Sequence, residues 1–552
     1  MLPFFQRYSL PVALLFIAIA SARIVATYSE LSLTYDEPGH FACGLEYLSA
    51  HVYQLESQHP PLTRAAVAMG PYLAGIRLDP SRNLYPQIPT RDSLGRQALQ
   101  STGHPDRAIA LARLGNLPFF WLACLLVYAW ARRYFDRGVA VLATCLFTLL
   151  PPVLAHAGLT TTDMGLCACL TAAFYALVSW AESPTWKSGA LLGVSAAAAA
   201  LSKFTALPFF PCAAALALIC YLAAIRPGGR ELLRLVKSRA PSFALAAIVG
   251  LIAIWAGYWF SFGLVPQWGV RLPAPEFFDG ILKAMNHNAL GHSAYLMGER
   301  SPRGWWYYFP VMLSVKSPAA FLILLVLGAG AAFSRRLNLR LWIPLAYSVG
   351  ILIPAMMGSV NIGVRHILPV YCGLAIVAAT GLARLFQWSP SAGSLPALTA
   401  GSLVIWMAAS GALFHPDYLC YFNEFAPAER ENFTVDSDLD WGQDMRLAAR
   451  LLRARGAAVV ATNQPDWWTM AAINGLPPCK PVDNWKPSEG WSMIGPTVAR
   501  NADFQVTLGG TDFESLVRAA QPRIVWWDRK PPTLRAGGLL LYYIPPDSPL
   551  LR

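Results

Sequence analysis

Apolar residues in this chain come in long runs rather than at the spacing of a half-buried helix or strand. Runs of the length needed to cross a bilayer, about 20 residues, fall near 8–27, 107–131, 138–156, 163–181, 188–206, 207–225, 241–260, 305–333, 341–358, 366–386 and 395–414. They predict about eleven transmembrane helices in residues 1–414. Polar positions gather in two stretches between them, 28–106 and 261–304, too long for simple connectors and rich in aromatic, His and acidic residues. Ordered loops of that length usually carry function. In 415–552 the period changes: Gln443 to Arg455 reads as a helix, and 457–462, 523–527 and 539–544 read as strands. That mixture predicts a small α/β domain after the membrane part.

Composition agrees. Of 552 residues 55% are hydrophobic and 13% charged, about half the charge of a soluble domain. The net charge of +12 would by itself suggest a nucleic-acid partner, but its distribution does not. Residues 415–552 hold 14 Lys/Arg against 16 Asp/Glu, and 1–414 hold 29 against 15. Cations confined to the apolar part are what the positive-inside rule produces, so membrane lipid is expected as a partner and nucleic acid is not. Arg132, Arg133 and Arg137 share one short connection, Arg226 to Arg239 another, and Arg335, Arg336 and Arg340 a third. With the N-terminus cytoplasmic all three lie inside, and an odd number of spans places the C-terminal domain outside. The first run could instead be a signal peptide, with Ala18-Ile19-Ala20 resembling a cleavage site. Cys420 and Cys479, both external, could form a disulfide.

The candidate chemistry lies at the outer ends of the spans. Asp36 and Glu37, in Tyr35-Asp36-Glu37-Pro38-Gly39-His40, follow the first span. There a partly desolvated carboxylate can act as a base, and Asp36 can equally be a helix N-cap with Pro38 in the first turn. Asp163, after three threonines, is either a cap or a second site carboxylate. Lys203 near the outer end of its helix could simply snorkel. His59, in Gln58-His59-Pro60-Pro61, and Arg64 either form a stiff turn or meet an anion. His40, His292, Tyr295 and Glu299 are candidates for acceptor or loop contacts. Lys316, inside a span, should face protein, water or a lipid phosphate. Arg365, with His366 beside it, sits at a helix mouth where its fork suits a phosphate. Cations explain a phosphate and carboxylates explain a hydroxyl to be deprotonated, which together suggest group transfer from a lipid-linked phosphate to an alcohol. Asp436, Asp438, Asp440 and Asp444 match a calcium loop poorly; Asp440 with Gln443 reads better as a capping box. Trp467, Trp468, Trp485 and Trp491 could stack on sugars or pack in a core.

Tyr35-Asp36-Glu37-Pro38, His59-Pro60-Pro61-Leu62, Thr162-Asp163, the stretch from Tyr307 to Pro318, Asn361 to Pro369, and Asp436 to Asp444 resemble the membrane glycosyltransferases of the GT-C fold. The resemblance is to the protein O-mannosyltransferase and aminoarabinose transferase (family 39-like) superfamily, in its bacterial phospholipid-carrier-dependent branch, over most of residues 1–450. It implies a polyprenyl-phosphate-linked sugar as donor, an acceptor protein, lipid or glycan on the outer face of a bacterial inner membrane, and inversion at the anomeric carbon. It implies Asp36 as base with Glu37 helping to hold the acceptor, and Asp163 as the second carboxylate. Arg365 and Lys203, then His59, Lys316 and His366, would stabilise the departing phosphate. The resemblance commits to no cofactor, and a divalent metal stays open. The aminoarabinose transferases carry an acidic residue and a Lys where Gln58 and His59 stand here, which speaks against borrowing a metal site from that branch. The alternatives are a flippase or transporter for lipid-linked sugars, which predicts broken helices and polar residues at mid-membrane, and a non-catalytic assembly or sensor protein.

Overall fold

The computed structural model describes residues 2–79, 81, 90–333, 338–464, 471, 473–483, 486–505 and 525–551. Arg335, Arg336, Trp467, Trp468, Trp485 and the start of the strand expected at 523–527 lie outside them; Trp526–Arg529 is a 3-10 turn.

The chain is mostly helical. Among the described residues, eight stretches are long and apolar enough to cross a membrane. They lie in α1 (Leu2–Ala26), in α5 (Pro105–Leu114) continued by α6 (Leu117–Tyr134), and in α9 (Asp163–Glu182), α11 (Ala206–Ile225), α12 (Gly229–Ala256), α16 (Leu339–Met356), α17 (Val370–Ala392) and α18 (Leu395–Leu413). Two helix pairs pass the same test together, bent by 67° between α7 (Arg137–Thr148) and α8 (Pro151–Ala157) and by 113° between α14 (Tyr308–Lys316) and α15 (Ala319–Phe333). The remaining expected span is α10 (Trp186–Ser202), 17 residues long. It packs on α12 at backbone contact, because any side chain at Gly189 or Gly193 would strike the carbonyls of Ser242 and Ala246.

Charge sidedness is visible on α9. At its C-terminal end Arg133 reaches Ser179 and Glu182, and Arg239 donates to the Ala181 carbonyl. Asp163 begins the same 20-residue helix, about 30 Å away at 1.5 Å per residue. Arg133 and Arg239 thus stand at the opposite end of α9 from Asp163.

The described residues of both long loops carry regular elements. The first folds into α2 (Glu37–Ala50), α3 (Pro61–Leu73) and α4 (Thr90–Gln100); the second carries hairpin β1–β2 (Phe262–Val265, Val270–Pro273), α13 (Pro275–Leu290) and hairpin β3–β4 (Ala294–Leu296, Glu299–Ser301). Beyond α19 (Met445–Ala454), a five-stranded mixed sheet has the order β6-β5-β7-β9-β8, from Cys479–Pro481, Val460–Thr462, Gly490–Ile494, Leu539–Ile544 and Leu534–Ala536. The expected α/β character of this region is present. The hydrophobic core nevertheless runs across the boundary expected at 414/415: Tyr418, Leu419, Phe422, Leu439 and Trp441 join the cluster built by the spans. Phe41, Leu45 and Ala68 of the first loop pack with Met445, Leu452 and Met493.

Candidate active site

Asp36 is the N-cap of α2, and Pro38 takes an early helical position. Its side chain makes no capping bond. The carboxylate turns instead to Arg365, whose Nη1 donates to Oδ2 at 2.9 Å. Burial works to raise the Asp36 pKa, but Arg365 outweighs it and holds the group below the ordinary value.

The adjacent carboxylate is spent differently. Glu37, 1% exposed, accepts from Arg113 Nε and Nη2 at 2.9 and 2.8 Å, and from the Thr34 and Thr160 amides at 2.8 Å each. Arg113 also donates to the carbonyls of Leu31 and Ser32. This knot ties the first loop to the end of α5 and to the 160–163 turn, so it places Asp36 beside Asp163. Glu37, expected to hold the acceptor, has its oxygens occupied by four protein donors and acts as a positioning group.

Asp163 and Arg365 are each nearly sealed, at 1% and 6% exposed. Lys203 Nζ donates to Asp163 Oδ1 at 2.6 Å, and Arg365 Nη1 lies 3.8 Å from Oδ2. Asp163 Oδ2 and Arg365 Nε, with His156 Nδ1 beside them, lack a hydrogen-bond partner among the described residues. The structure thus gathers Asp36, Asp163, Lys203 and Arg365 into one constellation, with the Trp441 ring 4.0 Å beneath the guanidinium.

Three loop imidazoles share its electrostatics, and a fourth, His156 of α8, acts on Asp163 and meets the Trp441 ring at 6.4 Å. His59 feels the Lys203 charge, His366 acts on Asp163, and His292 feels Arg365 and Asp36. Burial lowers the pKa values of all three loop imidazoles; Lys203 and Arg365 add to it at His366 and Arg365 at His292, while at His59 Glu56 opposes it and Arg64 and Lys203 add to it. They are neutral hydrogen-bonding groups rather than added charges. His40 lies one layer back: its Nδ1 accepts from Arg64 Nε at 2.9 Å, and its ring meets that of His59 edge-on at 5.1 Å. Arg64 itself is consumed by Glu56, Tyr53 and His40, so the Gln58-His59-Pro60-Pro61 turn leading into α3 is braced from below.

Four expectations are corrected. Lys316, expected at the donor phosphate, donates at 2.6 Å to the carbonyls of both Leu419 and Asp438 and lies 4.0 Å over the Phe422 ring. Its charge is quenched by backbone dipoles inside the protein. Tyr295 and Glu299, expected at the acceptor, belong to the β3–β4 hairpin, which docks on the C-terminal part: Met297 N–H donates to the Phe433 carbonyl at 2.7 Å, and Arg500 covers the Tyr295 ring. Asp440 and Gln443 form no capping box, since α19 begins at Met445 and Gln443 Oε1 accepts from the Trp441 amide. Cys420 and Cys479 are both free thiols.

The segment 436–444 supplies what sequence reasoning missed. Val364 N–H donates to both oxygens of Asp438 at 3.1 Å, and Ser437 Oγ donates to the Ile362 carbonyl. Asp436, with φ of +63°, feels Arg365 and Asp36; burial raises its carboxyl to about 6. The signal was present, four carboxylates and a Trp in nine residues, but only the fold shows which way they face.

Among the described residues, Asp417, Cys420 and Asp444 could share a cation, their ligand atoms lying within 4.8 Å of one another. Cys420 Sγ already donates to the Leu439 carbonyl, and Asp444 accepts from Gly538 N–H and Gln443 Nε2. A divalent metal between Asp36 and Asp163 would have to displace Arg365 or Lys203 from them.

Residues 108–259 match the dolichyl-phosphate-mannose-protein mannosyltransferase family. That stretch includes Asp163 and Lys203, and the match bears out the resemblance to membrane glycosyltransferases of this type drawn from the motifs. No curated protein sequence matches the chain. Among solved structures, ArnT from Cupriavidus metallidurans bound to undecaprenyl phosphate is similar at 14% identity and a TM-score of 0.49, over 92% of this chain and 99% of that one. The archaeal oligosaccharyltransferase AglB from Archaeoglobus fulgidus, in complex with an inhibitory peptide and a dolichol-phosphate, is similar at 13% identity and a TM-score of 0.43, over 86% of this chain and 61% of that one.

Proposed function

We propose that this protein is an inverting glycosyltransferase that moves a sugar from a polyprenyl-phosphate donor to a hydroxyl acceptor at the outer face of a bacterial inner membrane, with its N-terminus cytoplasmic. The observation that carries the reading is the pair of unpartnered buried atoms at one point. Arg365 Nε is a donor without an acceptor, and Asp163 Oδ2 an acceptor without a donor. Buried polar atoms of that kind are rare and costly, and a ligand bearing both an anionic oxygen and a hydroxyl satisfies both. Asp36, the most open of the three carboxylates at 38% side-chain exposure, takes the acceptor proton while the acceptor oxygen attacks the sugar C1. The C1–O bond to the phosphate breaks, and the departing phosphate is met by Arg365 and Lys203, with His59 and His366 as neutral donors. Preorganised charge at the leaving group is typically the largest contribution in such a site. The 1–414 part then carries catalysis, and residues 415–552 are the extracytoplasmic lobe that closes it.

The transporter alternative anticipated broken helices, and the two bent pairs are of that form. The carboxylates, however, stand at helix mouths rather than at mid-membrane. Mass spectrometry of lipid-linked sugars and envelope glycans in a deletion strain separates the readings. A carrier-linked monosaccharide that accumulates together with loss of one glycan modification supports the transferase. Unchanged pools, or a carrier-linked sugar trapped on the cytoplasmic leaflet, would overturn it.

A further inference from the structure

We propose that residues 436–441 are a positioning cradle for the Arg365 guanidinium, so that the C-terminal part sets the leaving-group side of the site. The proposal rests on the reading of Arg365 as the phosphate clamp. Arg365 belongs to no regular helix of its own; it rides on the 3-10 turn Val364–Ile367. α14, α16 and α8 pack against that turn, and the 436–441 segment holds its first residues by hydrogen bonds. Asp438, 1% exposed, takes the first amide of the turn on both carboxylate oxygens. Ser437 anchors the Ile362 carbonyl. Gly363, at φ +141°, has no room for a Cβ, which would strike Ser437 Oγ. Asp438 is fixed in turn through its own carbonyl, which accepts from Lys316 Nζ.

Trp441 completes the arrangement by touching both halves of the ion pair. Its ring stacks 4.0 Å from the guanidinium carbon, and its carbonyl accepts from the Tyr35 amide at 3.1 Å, next to Asp36. One residue therefore fixes the distance between the base and the clamp. Lys316, which looked like a ligand contact, is the pin of this cradle.

The full-length protein in detergent, with undecaprenyl phosphate as the product-like probe, tests the idea. Asp438→Asn and Trp441→Leu should lower kcat and raise the inhibition constant of undecaprenyl phosphate about tenfold each, the size of a desolvated cation–π contact. The donor KM should move by less than about threefold, because a phosphodiester carries less charge than the free phosphate. Trp441→Phe keeps a ring and should recover most of the loss. Arg535→Gln, which breaks an ion pair with Glu431 elsewhere in the same lobe, should lower the melting temperature and leave the inhibition constant unchanged. Asp438→Asn and Trp441→Leu proteins that melt lower but inhibit like wild type would overturn the cradle. If Arg365→Ala also leaves undecaprenyl phosphate inhibition unchanged, the clamp reading fails instead.

Discussion

Asp36 and Glu37 are neighbours in sequence and should fail in opposite ways. Glu37→Gln keeps the shape but removes the charge opposite Arg113, which is 0% exposed and bound to Glu37 through two nitrogens. Stripping the partner from a buried ion costs about 3–5 kcal/mol, and the new amide also presents a donor where Thr34 and Thr160 amides already donate. Asp36→Asn removes a carboxylate whose side chain is 38% exposed and leaves Arg365 with Asp163 at 3.8 Å. Its loss should cost about 1 kcal/mol or less in stability. In transfer, loss of a general base costs about 10²–10⁴-fold. The assay is thermal unfolding of the purified protein alongside sugar transfer from a polyprenyl-phosphate donor, with rates normalised to folded protein. Asp36→Asn should melt like wild type and be inactive, and Glu37→Gln should melt well below it while its folded fraction, with the base retained but less firmly placed, loses far less turnover than Asp36→Asn. A stable, inactive Glu37→Gln protein together with an active Asp36→Asn protein would refute the division of labour.

Lys316→Ala should destabilise by about 2–4 kcal/mol, leaving two buried carbonyls without their donor, and by unpinning Asp438 should weaken undecaprenyl phosphate binding about as much as Asp438→Asn does. Lys203→Ala strips the partner from the buried Asp163, so it should cost stability too and weaken binding of the lipid phosphate more; thermal unfolding with titration of both variants decides. Asp440, 1% exposed, has its carboxyl raised to about 6, chiefly by burial against the opposing Thr497 and Gly442 amides. A folded pKa above the unfolded value means that charging Asp440 destabilises the fold. Stability of the C-terminal lobe should therefore rise as pH falls from 7 through 6 toward 4, by about 2–3 kcal/mol from this group, and Asp440→Asn should flatten that slope in amide exchange measured across the range. Denaturation without reductant should expose ten titratable thiols, since all ten cysteines are free; eight would re-establish the Cys420–Cys479 bond.

What could be read along the chain was what local composition decides. Spans, sidedness and the α/β character of the end follow from runs of apolar residues, from the placement of Lys and Arg, and from period. Asp36, Asp163, Lys203 and Arg365 were legible because an ionisable group at a span mouth is costly and so conspicuous. Which of two adjacent carboxylates faces the site was not, because Arg113, 76 residues further on, decides it. Lys316 pointed to lipid phosphate for a sound local reason, a cation in an apolar helix; the carbonyls that quench it come from 103 and 122 residues away. Asp438 was read by its spacing to other carboxylates, whereas its partner is the Val364 amide, 74 residues earlier. Sequence spacing exposes contacts within a few residues, and this site is closed by contacts that are not.

The charges of the site also suggest why the base and the clamp should touch at all. At rest Arg365 is shared, 2.9 Å from Asp36 and 3.8 Å from Asp163, and Lys203 is engaged by Asp163. Two cations and two carboxylates compensate one another, so the site is not a strong trap for the phosphodiester donor. In the proposed mechanism Asp36 loses its charge as it takes the acceptor proton, and its hold on Arg365 weakens at the moment the leaving phosphate gains charge. The attraction of the guanidinium passes from base to leaving group along the reaction coordinate. An interaction that strengthens only as the bond breaks lowers the barrier without tightening ground-state binding. A direct ion pair between base and clamp is thus a means of making transition-state stabilisation conditional on proton transfer. It also requires that the distance between the two be fixed from outside, which is what the Trp441 ring and carbonyl are placed to do.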